Sequence, residues 1–472
     1  MKHTLFTLLI AAAITSCNKN TVAEWVATTP TAAWQTQSAS EITFIENSSA
    51  DVEIHTDSTL QTVDGFGACF NELGWTSLVL LSDVEREAVF KELFTAEGAN
   101  FTICRMPVGA NDFSRDWYSY NETDSDFEMR NFSVENDRET LIPFIKSAQK
   151  YNPALTIWAS PWSPPTWMKE NRFYACAPLS NFFDQRFVTD IQPEQVRREG
   201  DNMFITEDKY YAAYALYFRK FIEAYRTENI PVSMVMPQNE FNSCQPFPSC
   251  TWQAATLAEF TGKYLVPEMK TIGVEVMFGT MERPNPALVD TVLTSEGGDY
   301  ISGVGFQWAG KEALPSIHNR YPNLKIYQTE QECGDGQNEW EGCAYSWGLM
   351  KHYFMHGANV YDYWNISLLE GGMSRWGWTQ NSLVTVNEND KTFRYTYEYY
   401  LLKHFSHYVL PGAKMLQTAG NFDNLLAFRN KNGKIAVVIY NAEQTETTKT
   451  VKVGRRVFEV KLKPQSINTM IL

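Results

Sequence analysis

Apolar and polar positions along this chain change period many times. Short apolar runs of strand length stop in polar residues. Between them lie longer segments with apolar residues at every third or fourth position, the spacing of a helix packed on one side. Read in order, the runs predict strands at residues 65–70, 101–108, 155–160, 232–240, 274–278, 301–308, 324–330 and 359–364. Among them, helices are predicted at 82–98, 139–151, 207–226, 254–271, near Leu288, at 345–356 and at 393–407. The first of these is the best marked, opened by Ser82 with Glu85 three positions on and stopped by Gly98. The fold class is therefore α/β. Eight strand and helix units close a (β/α)8 TIM barrel, whereas an open doubly wound sheet more often has five or six strands and a Gly-rich phosphate loop, absent here.

The ends of the chain read differently. Past about Ser406 the period shortens to two, with runs at 435–440 after the Asn432-Gly433 turn and at 457–462, the pattern of antiparallel hairpins. Strand-like runs at 41–45 and 52–55 precede the barrel and are assigned with the C-terminal strands to an attached β-sandwich. Residues 18–40 are rich in Thr, Ala, Ser and Gln without periodicity, which reads as a tether. Before them, Lys2 and His3 precede an apolar run at 5–14, too short to span a bilayer, and Ile14-Thr15-Ser16-Cys17 resembles a bacterial lipoprotein processing site. The expected organisation is a lipoprotein signal peptide at 1–17 with Cys17 lipidated, a tether at 18–40, sandwich strands at 41–62, the barrel at 63–405 and the sandwich proper at 406–472. The address this implies is export and a lipid anchor, on the periplasmic or cell-surface side, with the membrane met only through that anchor.

Charge and cysteine content narrow the partners. With 55 acidic against 40 basic residues the formal charge is −15, which disfavours nucleic acid and favours a neutral substrate. Aromatic residues make up 14 % of the chain, enough to stack on sugar rings as well as to fill a large core. Seven cysteines follow Cys17, an odd number that leaves any disulfide framework incomplete. Cys244 with Cys250, and Cys333 with Cys343, are close enough in sequence to pair, while Cys104 reads as a small core hydrophobe.

Two of the predicted strands end in carboxylates. The run V-S-M-V-M-P-Q-N-E delivers Asn239 and Glu240 to a C-terminal strand end, where barrel enzymes keep their chemistry. In L-K-I-Y-Q-T-E, Leu324, Ile326, Gln328 and Glu330 share one face, with Glu330 at its end. Two such glutamates facing each other are the minimal equipment for cleaving a glycosidic bond. Taken singly, each is an ordinary solvated strand-end residue. His352 and His356 stand four apart on a predicted helix without the adjoining glutamate of a zinc motif, and they read as surface or packing residues, as do His404 and His407. No metal or other cofactor is called for.

Five blocks then occur in order: Asp64-Gly65-Phe66-Gly67; Arg105-Met106-Pro107 with Asn111-Asp112-Phe113-Ser114; residues 159–169 with their Trp and Pro cluster; Gln238-Asn239-Glu240; and Trp364-Asn365 followed by Glu370-Gly371-Gly372. On these the chain resembles the glucosylceramidase-like glycoside hydrolases of family 30, across residues 63–417. The resemblance implies a retaining β-glycosidase on a (β/α)8 barrel with a β-sandwich. It implies Glu240 as acid/base and Glu330 as nucleophile, with Arg105, Asp112, Trp162, Asn239, Trp308, Trp364 and Asn381 around the sugar. Three departures stand out. Phe241 follows Glu240 where the family usually has proline. Glu332, of the same strand parity, is a rival to Glu330. Gln307 precedes Trp308 where glucosylceramide-cleaving members have histidine. Residues 171–202, after the third strand, are placed to shape an aglycone subsite. The expectation is a monomeric enzyme on a β-linked glucan or glucoside, β-1,6-glucan first and glucosylceramidase-like action next. β-Xylosidase or β-fucosidase specificity and a catalytically inactive glycan-binding lipoprotein are the alternatives.

Overall fold

A computed structural model of the chain describes residues 22–38, 42–45, 49–181, 184, 186–187 and 189–472. The leader at 1–17 and the lipidation position Cys17 lie outside the described residues.

The eight apolar runs become eight parallel strands, the fifth in two pieces: Gly65–Cys69, Ile103–Pro107, Thr156–Ser160, Val232–Val235, Glu275–Val276 with Phe278–Met281, Gly303–Gln307, Lys325–Glu330 and Val360–Asn365. Each pairs in parallel with its sequence neighbour, and the eighth pairs with the first, Val360 opposite Gly65, so the sheet closes on itself. Gly67 shows how tightly: a Cβ there would lie 1.6 Å from the carbonyl oxygen of Ile103 on the second strand. Ile103, Trp158, Met234, Met236, Met277, Tyr327 and Val360 form a separate apolar cluster that plugs the barrel. The functional groups stand beyond it, at the C-terminal ends of the strands.

The outer layer follows the predicted helices with local changes. Asp83–Phe94 begins on Ser82 with both halves of the capping box made. Asp208–Thr227 buries Tyr210, Tyr214, Tyr217, Phe218, Phe221 and Tyr225 on one face. The helix predicted at 254–271 is wound as a π-turn at Phe260–Leu265 just before Pro267, whose missing N–H breaks the regular ladder. The helix predicted from 393 starts at Tyr397, capped by the Thr396 hydroxyl, because Phe393–Tyr395 pairs instead with Val384–Val386 in a small sheet above the barrel.

Beside the barrel stands a ten-stranded sheet folded around its own apolar core, which contains Trp25, Val52, Ile54, Val437, Ile439, Val451 and Phe458. Its strands at Val52–Thr62 and from Lys414–Gly420 onward match the predicted sandwich. The tether predicted at 18–40 is corrected: within it, Glu24–Thr29 and Ala32–Thr36 are strands of this sheet, and Glu24–Thr29 runs antiparallel to Ser466–Ile471. The strand hides in the sequence because it is covered on both sides, Trp25 packing into the sandwich core and Val26 into the barrel core, so no alternation shows. His404, on the last barrel helix, ties the two domains: its ring nitrogens sit 2.9 Å from Thr28 Oγ1 and 2.8 Å from Thr469 Oγ1.

Candidate active site

The fourth strand stops at Val235, earlier than the predicted 240. Asn239 and Glu240 are carried on the turn that follows, fixed by bonds from three directions. Asn239 N donates to Pro161 O (2.7 Å), Gln238 Nε2 to Trp162 O (2.7 Å), and Glu240 N to Thr280 Oγ1 (3.0 Å). Glu240 takes a left-handed backbone, φ +48°, as does Trp308 at the end of the sixth strand. Such conformations are held only where surrounding contacts over-determine them.

Glu330, closing the seventh strand, faces Glu240 across the mouth. Between them lies the side chain of Gln307. Its Nε2 is 3.0 Å from Glu240 Oε1 and 3.2 Å from Glu330 Oε2, which holds these two oxygens within about 6 Å of one another. Both carboxylates are nearly excluded from solvent, Glu240 6 % and Glu330 4 % exposed.

Their surroundings differ in sign. Arg105, from the second strand and fully buried, donates to Glu330 Oε2 at 3.0 Å, and Trp308 Nε1 donates to Glu330 Oε1 at 2.8 Å. The guanidinium also donates to Ser160 Oγ (2.8 Å) and Asn239 Oδ1 (2.7 Å), and it sits 4.4 Å from the Trp162 ring, with Trp158 and Trp364 beside it. Glu240 receives only amide donors, from Gln307 and, at 3.3 Å, from Gln245 Nε2. Burial raises the proton affinity of both glutamates. For Glu240 the nearby carboxylates of Glu282, Glu330 and Asp112 raise it well above the usual carboxylate range. For Glu330 the Arg105 charge and the Trp308, Arg105 and Gln307 donors oppose the rise. A proton shared by the pair therefore rests on Glu240. The arrangement offers one protonated and one ionised carboxyl on either side of a small cleft, the condition for general-acid and nucleophilic roles in one site.

Adjoining the pair is a cleft of about 240 Å³ lined by Asp112, Gln245, Glu282, Trp308, Trp378 and Gln380 among others, of which Gln245 bonds Glu240 and Trp308 bonds Glu330. Asp112 is buried with its carboxylate beside the Trp364 indole N–H, and neither Asp112 Oδ1 nor Trp364 Nε1 makes a well-formed hydrogen bond. Buried polar atoms are normally paired, so both are candidates for a ligand's hydroxyls. Trp162 and Trp364 stack on each other (5.3 Å) around Arg105 rather than lining the cleft, so of the three predicted tryptophans Trp308 alone does so.

Asn381 departs from its predicted place. Its Oδ1 accepts from Gly336 N and Asn338 N, and its Nδ2 donates to Glu398 Oε2, so its amide is spent holding the loop after the seventh strand. The neighbouring Gln380 lines the cleft instead; in an irregular segment no period tells which of two adjacent residues points inward. Glu332, the rival to Glu330, turns away and pairs with Lys311 Nζ (2.6 Å) and Tyr345 OH (2.6 Å). Gln245, Glu282 and Trp378 were not singled out from the sequence. Glu282 directly follows the Phe278–Met281 strand and had a readable signal, a carboxylate at a barrel strand end. The described cysteines are all unbonded, including both pairs that sequence spacing suggested. Cys333 Sγ contacts Gln331 O and Cys343 Sγ contacts Tyr397 O, so each is directed to a different neighbour. His352 and His356 bond to the carbonyls of Lys311 and His352.

Comparison with known proteins fits this geometry. The sequence profile of the glycosyl hydrolase family 30 TIM-barrel domain matches residues 63–177 and 193–409, and that of the family's beta sandwich domain matches residues 412–470. The chain belongs to glycosyl hydrolase family 30. It is 26 % identical over 457 residues to putative glucosylceramidase 1 of Caenorhabditis elegans, covering 87 % of this chain and 81 % of the relative. It is 24 % identical to an endo-1,6-beta-D-glucanase of Neurospora crassa, covering 83 % and 81 %. Among solved structures, SrfJ from Salmonella typhimurium superposes with a TM-score of 0.84 at 21 % identity, covering 95 % of this chain and 99 % of that one. An endo-β1,6-glucanase does so with 0.78 at 24 %, covering 95 % and 99 %. This family 30 protein is thus a glycoside hydrolase of barrel and sandwich architecture, with both β-glucanases and glucosylceramidases among its relatives.

Proposed function

We propose that the protein is a retaining β-glycosidase acting on β-linked glucose, with Glu240 as acid/base and Glu330 as nucleophile. The observation that carries this reading is the Gln307 amide spanning the two carboxylates, with Arg105 bonded to only one of them. The close approach of Glu240 Oε1 and Glu330 Oε2 that this amide enforces is compatible with the roughly 5–5.5 Å of double displacement and supports retention. Glu240 protonates the glycosidic oxygen while Glu330 attacks the anomeric carbon, giving a glycosyl-Glu330 ester. Glu240, now a carboxylate, takes a proton from water as that water attacks the same carbon and releases the sugar. Asn239 Oδ1 is occupied by Arg105, Thr280 and Gln307, so the donor end of its amide is left for a sugar hydroxyl.

β-1,6-Glucan is the first substrate to test and a glucosylceramide-like glucoside the second, in line with the two kinds of relative. Glu330→Gln is expected to lower hydrolysis of an aryl β-glucoside by on the order of a thousandfold or more, and NMR of the wild-type reaction should show the β-anomer first. Near wild-type turnover by the variant, or an α-anomer first, rejects the assignment.

A further inference from the structure

The loops above the barrel close into a ring around the cleft. Asp112, Ser180, Gln245, Glu282, Trp308 and Gln380 line it from the loops after the second, third, fourth, fifth, sixth and eighth strands. Each seam between these loops is made by direct contact. Cys176 N and Ala177 N both donate to Gln245 O (2.9 and 3.1 Å), joining the third loop to the fourth. Asn242 Oδ1 accepts from Glu282 N (3.2 Å), joining the fourth to the fifth. Gly310 sits so close to the end of the fifth strand that a Cβ would lie 2.1 Å from Met281 O, joining fifth to sixth. Trp308 packs on Trp378 with ring centroids 5.9 Å apart, joining sixth to eighth.

The remaining side is sealed twice. Trp117, on the second loop, packs on Trp376 (4.6 Å) and stacks on Tyr174 (5.6 Å). Farther along the third loop, Asp184 N donates to Gly377 O (3.3 Å), and Phe187 fills the space where a side chain at Gly377 would stand. Asp184 and Phe187 belong to residues 178–192, the stretch that the family's barrel profile leaves out. This second seal thus lies outside the part of the chain that the family profile matches.

A sugar whose anomeric carbon meets Glu240 and Glu330 at the floor of such a ring has its leaving group directed out through the mouth. A sugar inside a chain also carries a substituent on its non-reducing side, and that substituent needs a second opening. Among the described residues, the contacts above leave no such gap between one loop and the next. Resting on the β-glycosidase reading above, we infer that the protein is exo-acting: it takes the non-reducing terminal sugar of a glycan end-on and releases one sugar at a time. The endo-glucanases among its relatives do not set its mode of action.

The test uses the purified full chain and a linear β-1,6-linked glucotetraose tagged at its reducing end, with an aryl β-glucoside as a parallel substrate. The expected first products are free glucose and the tagged trisaccharide, with tagged disaccharide only after trisaccharide has accumulated. Tagged mono- or disaccharide as a first product overturns the inference while leaving the glycosidase reading intact. A protein inert on aryl glucoside and glucan alike overturns both. A 4,6-O-benzylidene group on the non-reducing sugar should block hydrolysis, and unimpeded release of tagged fragments from the capped chain also overturns the inference. In the double variant Trp117→Ala/Phe187→Ala, the share of internal cleavage among first products should rise about tenfold, the scale on which a steric contact discriminates. An unchanged share removes these two side chains as the seal.

Discussion

Arg105 carries the electrostatic asymmetry of the cleft. It is fully buried, boxed by Trp158, Trp162 and Trp364, and its charge is spent on Glu330, Ser160 and Asn239. In Arg105→Met, Glu330 keeps its burial and loses the nearest cation, so its proton affinity climbs further. The acid limb of the kcat/KM profile, which reports ionisation of the nucleophile, should move to higher pH by about one unit or more. The same variant leaves a buried carboxylate unpaired, and a loss of about 3 kcal/mol in denaturant unfolding is expected. An acid limb that stays in place rejects this role for Arg105. Glu240 makes the complementary prediction. In Glu240→Ala the glycosyl ester should still form from an aryl glucoside with a good leaving group and then wait for a nucleophile that needs no base. Added azide should therefore restore turnover and yield a β-glycosyl azide; a rate indifferent to azide counts against the acid/base assignment.

Among the elements, the capping box at Ser82 and Glu85 is the feature read most directly from sequence. Ser82 N donates to Glu85 Oε2 (3.1 Å) and Glu85 N to Ser82 Oγ (3.3 Å). Ser82→Ala should cost about 1 kcal/mol of stability, measured by urea unfolding, with activity kept. The barrel strands were equally legible, because each is a short apolar run closed by polar residues, and so were the positions of Glu240 and Glu330 past or at the ends of such runs; Arg105 instead sits in the middle of Ile103–Pro107. Legibility failed where the decisive partner is remote or the backbone irregular. Glu24–Thr29 lacks alternation because two different cores cover it, and one of its two strand partners lies at the other end of the chain. Gln380, not singled out from the sequence, lines the cleft where Asn381 was expected, in a segment without period. The bridging position of Gln307 depends on three strands converging, which no local spacing encodes.

For the whole molecule, buried titratable groups set how stability varies with pH. Burial pushes Asp362, bonded to Trp158 Nε1, up to about 8, and Glu398, beside Asn381 and Ser346, up to about 7. Each binds its proton more tightly in the folded chain than in the unfolded one, so each stabilises the fold at low pH and loses that contribution as pH rises through its folded value. Burial holds His404 down at about 3, and its contribution is complete above the ordinary histidine range, falling away only on acidification. Between pH 6.5 and 8 the carboxyl groups therefore decide the slope. The thermal midpoint should drop by several degrees across that window, and Asp362→Asn should flatten the drop; a midpoint that rises with pH contradicts the assignment.

The pairing of Glu24–Thr29 with Ser466–Ile471 also dictates when folding can finish. Apart from the closing pair of first and eighth, barrel strands join neighbours that leave the ribosome shortly before or after them, so most of the barrel can wind up during translation. The earliest described strand must wait for the last to be made. Until residue 466 has emerged, Glu24–Thr29 can pair only with the neighbouring Ala32–Thr36, and a nascent polypeptide stalled short of that point presents its other, unpaired edge to chaperones and proteases.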